Sequence, residues 1–208
     1  PNEVWALKDI SFELRRGEFL GIAGHTGSGK STLLQHMNGL LQPSRGRVLV
    51  CGEDLADKKA AAAAKARIGI VFQYPERQLF ANTVFDDVAF GPRNLGLSGD
   101  EVEARVHESL SRVGLSIDDL REMSPFELSG GQQRRVAFAG VLAMKPRALI
   151  LDEASSMLDP RGRKGLMRVC RELNERGMTI IMITHYMEEA AAADRVVVMN
   201  AGRIACEG

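Results

Sequence analysis

Apolar residues fall in short runs along the chain: "FLGIA" (19–23), "IGIVF" (68–72), "ALIL" (148–151), "MTIIMIT" (178–184) and "RVVVMN" (195–200). Such uninterrupted runs fit the buried strands of a parallel sheet. Between them lie helical signals. "TLLQHMNGL" predicts a helix ending near Gly39, and the turn "PSRG" then leads into a strand, "RVLVCG". "DKKAAAAAKAR" predicts a short helix whose lysines form a solvated face. In "SGDEVEARVHESLSRVGL" the apolar positions Val102, Val106, Leu110 and Val113 recur at helical spacing. Near the N-terminus "LKDISFEL" alternates, with Ile10, Phe12 and Leu14 inward, which predicts a strand, and "RRGE" turns the chain into "FLGIA".

Strand and helix alternate before residue 82 and again from about 146, where "RGRKGLMRVCRELNERG" is the crossover helix. The expectation is one α/β domain over 1–208, with a mainly parallel sheet and an antiparallel N-terminal β part. Its core is 1–81 and 146–208, and a helical subdomain is inserted at about 82–145. No internal repeat or long disordered linker interrupts it.

Composition adds little to this picture. The 208 residues are 45% hydrophobic and 26% charged, an ordinary globular balance. Lys plus Arg (27) equals Asp plus Glu (27), so no bulk field draws the chain to nucleic acid or an acidic membrane. Cys51, Cys170 and Cys206 are odd in number and lack metal-ligand spacing, which fits a reduced cytosolic protein. No run approaches the roughly 20 apolar residues needed to span a bilayer, and no signal peptide is visible. The chain starts at Pro1 without a methionine and stops soon after an apolar strand, so it reads as a fragment.

The chemistry lies where the apolar runs end. "FLGIA" runs into "GHTGSGKST", which meets G-x-x-x-x-G-K-[ST] through Gly24, Gly29, Lys30 and Ser31, with a helix following. Strand, glycine turn and helix N-terminus form the context of a phosphate loop. Glycines let backbone N–H groups close around phosphate oxygens. Gly24, His25, Thr26, Gly27, Ser28, Gly29 and Thr32 would line the nucleotide, His25 through its backbone. Lys30 would reach the β- and γ-phosphates of a nucleoside triphosphate, and Ser31 would sit on Mg²⁺. "IGIVF" runs into Gln73, "ALIL" into Asp152 and Glu153, and "TIIMIT" into His185. Taken singly, each is an ordinary strand end. Together they fall where open α/β sheets bind ligands. Asp152 would share Mg²⁺ with Ser31, and Gln73 could contact the same ion and position a water. Glu153 could orient or deprotonate that water, and His185 could contact the γ-phosphate.

A second cradle lies in "ELSGGQQRRVAFAGVLA", where Ser129 can cap a helix and Gly130 and Gly131 leave N–H groups accessible. Alone this is a capped helix. Two cradles with one hydrolytic set are reconciled if two chains complete each other's sites.

These residues, in this order, resemble the nucleotide-binding domain of ABC transporters across essentially the whole chain. Gly24 to Ser31 match the Walker A loop, Gln73 the Q-loop, "LSGGQ" the signature and "ALILDE" the Walker B strand. Met157-Leu158-Asp159 match the D-loop and His185 the switch histidine. The resemblance implies the phosphate-loop fold of ABC ATPases, and ATP held between one Walker A and a partner domain's Ser129, Gly130, Gly131 and Asp159. "GHTGSGKSTLLQHMNGLL", "VFQYPERQLFANTVFDDVAFGPRNLGL" and "ELSGGQQRRVAFAGVLAM" are similar to the ATPase subunits of energy-coupling factor importers of vitamins and metal ions. That implies a second ATPase domain, a membrane scaffold protein and a substrate-binding membrane protein as partners, and a place on the cytoplasmic face of the membrane. "DEASSMLD" departs from the commoner D-E-P-T-x-x-L-D and is closer to one of the two paired subunits, whereas "QYPERQLF" is closer to the other. The family's adenine-stacking aromatic falls before Pro1, and Trp5 reads as a packed strand residue.

Other importers, or soluble ABC ATPases acting on DNA or ribosomes, compete with this reading. About 100 residues separate Gly29 from Ser129, too few for the long coiled coil of the DNA-repair class, and the ribosomal class carries two such domains. No nucleic-acid partner is expected. "TVFDDVAF" reads as a short helix in which Asp86 and Asp87, beside Val84, Phe85 and Val88, would receive a membrane coupling helix.

Overall fold

The computed structural model describes residues 5–156 and 158–208. Its main sheet has six strands in the order β4-β5-β6-β1-β7-β8. They are β1 (Phe19–Gly24), β4 (Ile68–Val71), β5 (Ala148–Asp152), β6 (Thr179–Ile183), β7 (Arg195–Asn200) and β8 (Arg203–Glu207). Every pairing is parallel except that of β8 with β7, a hairpin return the sequence reading did not anticipate. A separate two-stranded antiparallel ribbon joins β2 (Leu49–Val50) to β3 (Glu53–Asp54).

Strands β4, β5, β6 and β1 are largely apolar because both faces are covered. Successive side chains point to opposite faces, so Leu149, Leu151, Ile180 and Met182 enter one core cluster while Ile150, Ile181 and Ile183 enter another. The first cluster takes in α3 (Val84–Asn94), α4 (Gly99–Arg112), α6 (Gly130–Ala143) and α7 (Pro160–Glu175). The second receives Leu33 and Leu34 of α1 (Lys30–Met37). The remaining helices are α2 (Lys58–Arg67), α5 (Ile117–Leu120) and α8 (Met187–Ala190).

Helix starts follow their capping residues. Asp57 accepts from the N–H groups of Lys59 and Ala60, and Asp159 from that of Gly162. Ser98 with Glu101, and Ser129 with Gln132, form reciprocal capping boxes. Val102, Val106, Leu110 and Val113 are buried, as their spacing predicted. The helix predicted at 83–90 runs further, to Asn94. Residues 7–14 keep their alternation, with Ile10, Phe12 and Leu14 packed on the second cluster, but no strand forms there among the described residues. Trp5 is not a packed strand residue; it is exposed, with the Arg45 guanidinium 5.4 Å from its ring centre.

Candidate active site

Strand register places the predicted residues. Val71 pairs with Leu151, and Asp152 with Ile183. Gln73, Glu153 and His185 therefore leave three adjacent strands within about a residue of one level. On the next strand Ile22 pairs with Ile183, so the 24–32 loop begins beside them. The carboxyl ends of β4, β5, β6 and β1 form one row, where ligands of open parallel sheets bind.

Loop geometry explains the glycines. Gly24 has φ +151°, and a Cβ there would lie 2.4 Å from the Met199 carbonyl oxygen and 2.7 Å from Ser28 Oγ. Lys30, in the first turn of α1, is buried and its Nζ donates to the carbonyls of Gly24 (2.8 Å) and His25 (2.9 Å). The ammonium is thus held inside the loop's curve. Ser28 is fully buried and its Oγ has no hydrogen-bond partner among the described residues. Thr26 and Gly27 form the exposed outer turn, and Thr32 is the third residue of α1, where its carbonyl accepts from His36 Nδ1 at 2.7 Å.

His25 does more than lend its backbone. Nδ1 lies 2.7 Å from the Thr26 carbonyl and Nε2 2.9 Å from Asn200 Oδ1. Two acceptors favour two N–H groups, so the Asn200 and Thr26 contacts raise its pKa above the ordinary histidine value. Asn200 was missed in the sequence, although the same signal marks it: a polar residue ending an apolar run. Met199 pairs with Gly24, so Asn200 emerges beside the loop.

Glu153 lies between Lys30 and His185. Its Oε1 is 3.9 Å from Lys30 Nζ and its Oε2 is 3.8 Å from His185 Nδ1. Its φ of +50° is left-handed, and its N–H donates to the Ile183 carbonyl at 2.9 Å. Ser31 Oγ donates to Asp152 Oδ1 at 3.3 Å. Burial pushes the Asp152 carboxyl above its usual range; the Ser31 hydrogen bond and Lys30 pull it down, and Glu153 pushes it up. A half-buried carboxylate converging with a hydroxyl fits a hard cation. Among the described residues no cluster of three or more His, Cys, Asp or Glu could hold a metal by itself. A magnesium ion here would need phosphate oxygens to complete its shell, as is usual for that ion. Gln73 is half-buried and makes no side-chain hydrogen bond among the described residues.

The second cradle is presented outward. Ser129, Gly130 and Gly131 are exposed at the start of α6, and Asp159 is exposed at the start of α7. Met157 of the predicted D-loop lies outside the described residues. Asp86 and Asp87 are used inside the chain. Asp86 accepts from Arg93 Nη1 (2.9 Å) and Thr83 Oγ1 (3.0 Å), while Asp87 accepts from the N–H groups of Phe80 and Ala81 (both 2.9 Å). Val84 and Val88 are buried. The exposed apolar groups nearby are Phe80 and Phe90, stacked edge to face at 4.8 Å.

A glycine loop closing on a buried lysine, at the end of a row of parallel strands carrying Asp152, Glu153 and His185, defines a phosphate-loop nucleotide-binding ATPase. The ABC transporter family profile matches residues 7–156. An energy-coupling factor transporter ATP-binding protein EcfA2 of Clostridium perfringens is 52% identical, covering all of this chain and 74% of its own length. An EcfA1 of Clostridium novyi is also 52% identical, over 98% of this chain and 72% of its own length. The chain belongs to the ABC transporter family and, within it, to the ATP-binding proteins of energy-coupling factor transporters. Among solved structures, cbiO1 of Clostridium perfringens, described as part of the ABC transporter complex cbiONQ, superposes with a TM-score of 0.88. It is 42% identical over 98% of this chain and 81% of its own. A dimeric ATP-binding cassette, MJ0796, bound to ADP and Pi superposes at 0.89, with 30% identity over all of this chain and 92% of its own.

Proposed function

We propose that the chain is the ATP-hydrolysing subunit of an energy-coupling factor importer of vitamins or metal ions. It would bind ATP between two head-to-tail ATPase domains at the cytoplasmic face of the membrane. The observation that carries the chemistry is the Glu153 carboxylate, set between Lys30 and His185 and one residue from Asp152. Lys30 and the amides of residues 24–32 hold the phosphates. Ser31 and Asp152, with Gln73, are the groups that would hold Mg²⁺, which supplies charge neutralisation on the phosphate oxygens. Glu153 orients or deprotonates the attacking water, and His185 contacts the γ-phosphate. Ser129, Gly130, Gly131 and Asp159 face the nucleotide of the partner domain, which their exposure at two helix starts permits. The MJ0796 cassette, solved as a dimer with ADP and Pi, supports that pairing.

This reading treats 1–208 as one ATP-binding domain, with core 1–81 and 146–208 and a helical subdomain at 82–145. Beside that subdomain, a groove whose lining includes Leu79, Asp87, Phe90, Gly91, Val141 and Met144 is suited to an amphipathic coupling helix from the membrane scaffold protein. Among the described residues no helix is long and apolar enough to cross a membrane itself. The substrate-binding membrane protein would be reached through the scaffold.

Glu153→Gln tests the chemistry and the pairing together. Losing a base or water-positioning group should cost about 10²–10⁴-fold in turnover. ATP should still bind, because Lys30 and the loop amides act independently of Glu153. Light scattering of this variant should show ATP-driven association. Turnover close to the parent's would overturn the role of Glu153. A mass unchanged by ATP, alone and with its paired subunit, would overturn the shared site.

A further inference from the structure

Glu189 sits in the single turn of α8, in the run "YMEEAAAA", where an acidic residue would ordinarily face water. It is instead 5% exposed. Its Oε2 accepts two short hydrogen bonds, from Ser155 Oγ at 2.8 Å and from Thr184 Oγ1 at 2.6 Å. Its Oε1 is buried with no hydrogen-bond partner among the described residues. Thr184 Oγ1 in turn accepts from the N–H of Tyr186 at 3.0 Å. Burying a carboxyl is costly, and a half-satisfied one more so than an apolar side chain of similar size. Packing α8 on the sheet does not call for this residue.

What the carboxyl joins accounts for it. Ser155 lies two residues after Glu153, within a series of tight turns in which Ser156 N–H donates to the Glu153 carbonyl (3.0 Å) and Leu158 N–H to that of Ser155 (3.0 Å). Thr184 immediately precedes His185. One oxygen of Glu189 therefore ties together the two loops that carry the two partners of the 3.8 Å Glu153–His185 contact. We propose that Glu189 is a positioning residue that sets the mutual placement of Glu153 and His185 for hydrolysis while leaving ATP binding to the phosphate loop. The inference rests on the assignment of Glu153 and His185 as the hydrolytic pair.

The test uses the full chain with Glu189→Ala, Glu189→Gln, and the pair Ser155→Ala with Thr184→Val. Each variant is measured for kcat, for ATP affinity by equilibrium binding, and for its melting midpoint. Groups that orient a reacting residue through hydrogen bonds are typically worth about 10–100-fold. Glu189→Ala should lower kcat by about that factor with ATP affinity little changed, because Lys30 and the loop amides remain. Glu189→Gln keeps one acceptor oxygen for both hydroxyls and puts its amide where the unpartnered oxygen stood, so it should restore most of kcat. If Glu189→Ala does not fold, the Ser155→Ala, Thr184→Val pair decides, since it removes both donors and leaves the carboxyl. Its kcat should fall as for Glu189→Ala. The proposal is overturned if the folded variants keep the parent's kcat, if kcat and ATP affinity fall together, or if Glu189→Gln folds but is as slow as Glu189→Ala. Glu153→Gln run in parallel separates the two levels. A slow Glu153→Gln beside a fast Glu189→Ala removes only the positioning role, whereas a fast Glu153→Gln removes the assignment beneath it.

Discussion

Glu153 holds a left-handed backbone at φ +50°, a conformation that costs a non-glycine residue about 1–3 kcal/mol. The surroundings impose it: its N–H is tied to the Ile183 carbonyl and its carbonyl to the N–H of Ser156. The side chain is thereby aimed at Lys30 and His185 at some expense to stability. Glu153→Gly should relieve the strain, and Glu153→Gln should keep it. After allowing for glycine's greater freedom in the unfolded chain, the net difference is about 1 kcal/mol, or roughly 2–4 °C for a domain this size. Without nucleotide, Glu153→Gly should melt higher than Glu153→Gln by that margin in calorimetry, and both should turn over ATP far more slowly than the parent. Equal midpoints would mean that the turn does not store strain. At this scale the sequence showed which residues end the strands, because a polar group closing an apolar run is visible in one dimension. It did not show the φ of Glu153, nor that Asn200 holds His25, because both depend on which strand lies alongside.

Helices α4 and α6 are tied by charge as well as by apolar contact. Glu108 of α4 accepts from Arg112 Nη2 at 2.8 Å, and its Oε2 lies 2.9 Å from Lys145, just past the end of α6. These two cations hold its carboxyl down from 4.5 to about 2. A carboxyl lowered on folding stabilises the fold above its unfolded pKa, and that contribution is lost as pH falls through the folded one. The window is therefore about 4.5 down to 2. The group is partly exposed, so screening limits the effect to about 1 kcal/mol at neutral pH. Glu108→Gln should lower the melting midpoint at pH 7, and the gap from the parent should close as pH drops through the window. A gap that stays constant in acid would show that the ion pairs contribute nothing. The helices themselves were legible, since apolar spacing at 102, 106, 110 and 113 and serines at 98 and 129 are local signals. The segment at 7–14 shows the limit of such signals. Its alternation correctly marked which side chains face inward, but ladder bonds need a neighbouring strand in register, which alternation cannot report.

At the scale of the molecule, balanced charge leaves recognition to local surfaces, and the exposed Phe80–Phe90 pair is one of them. Asp86 and Asp87, expected as the docking acids, also hold the start of α3, where their carboxylates accept from Thr83, Arg93 and the loop at 80–81. Phe80→Asp with Phe90→Asp should leave ATP hydrolysis by the isolated chain close to the parent's and sharply reduce co-purification with the membrane scaffold. Full recovery of the complex would place the docking surface elsewhere. The row of strand ends carries a further consequence, for changes in chain length. The groups at 24–32, 73, 153 and 185 each leave the sheet through their own loop. A residue added within one loop perturbs one group and leaves the other three in place. A residue added inside β1, β4, β5 or β6 advances that group by about 3.3 Å and turns every following side chain to the opposite face. The spacing between the last ladder bond and each functional side chain thus acts as a ruler, and insertion scanning along the four strands should trace the site as sharply as changing the side chains themselves.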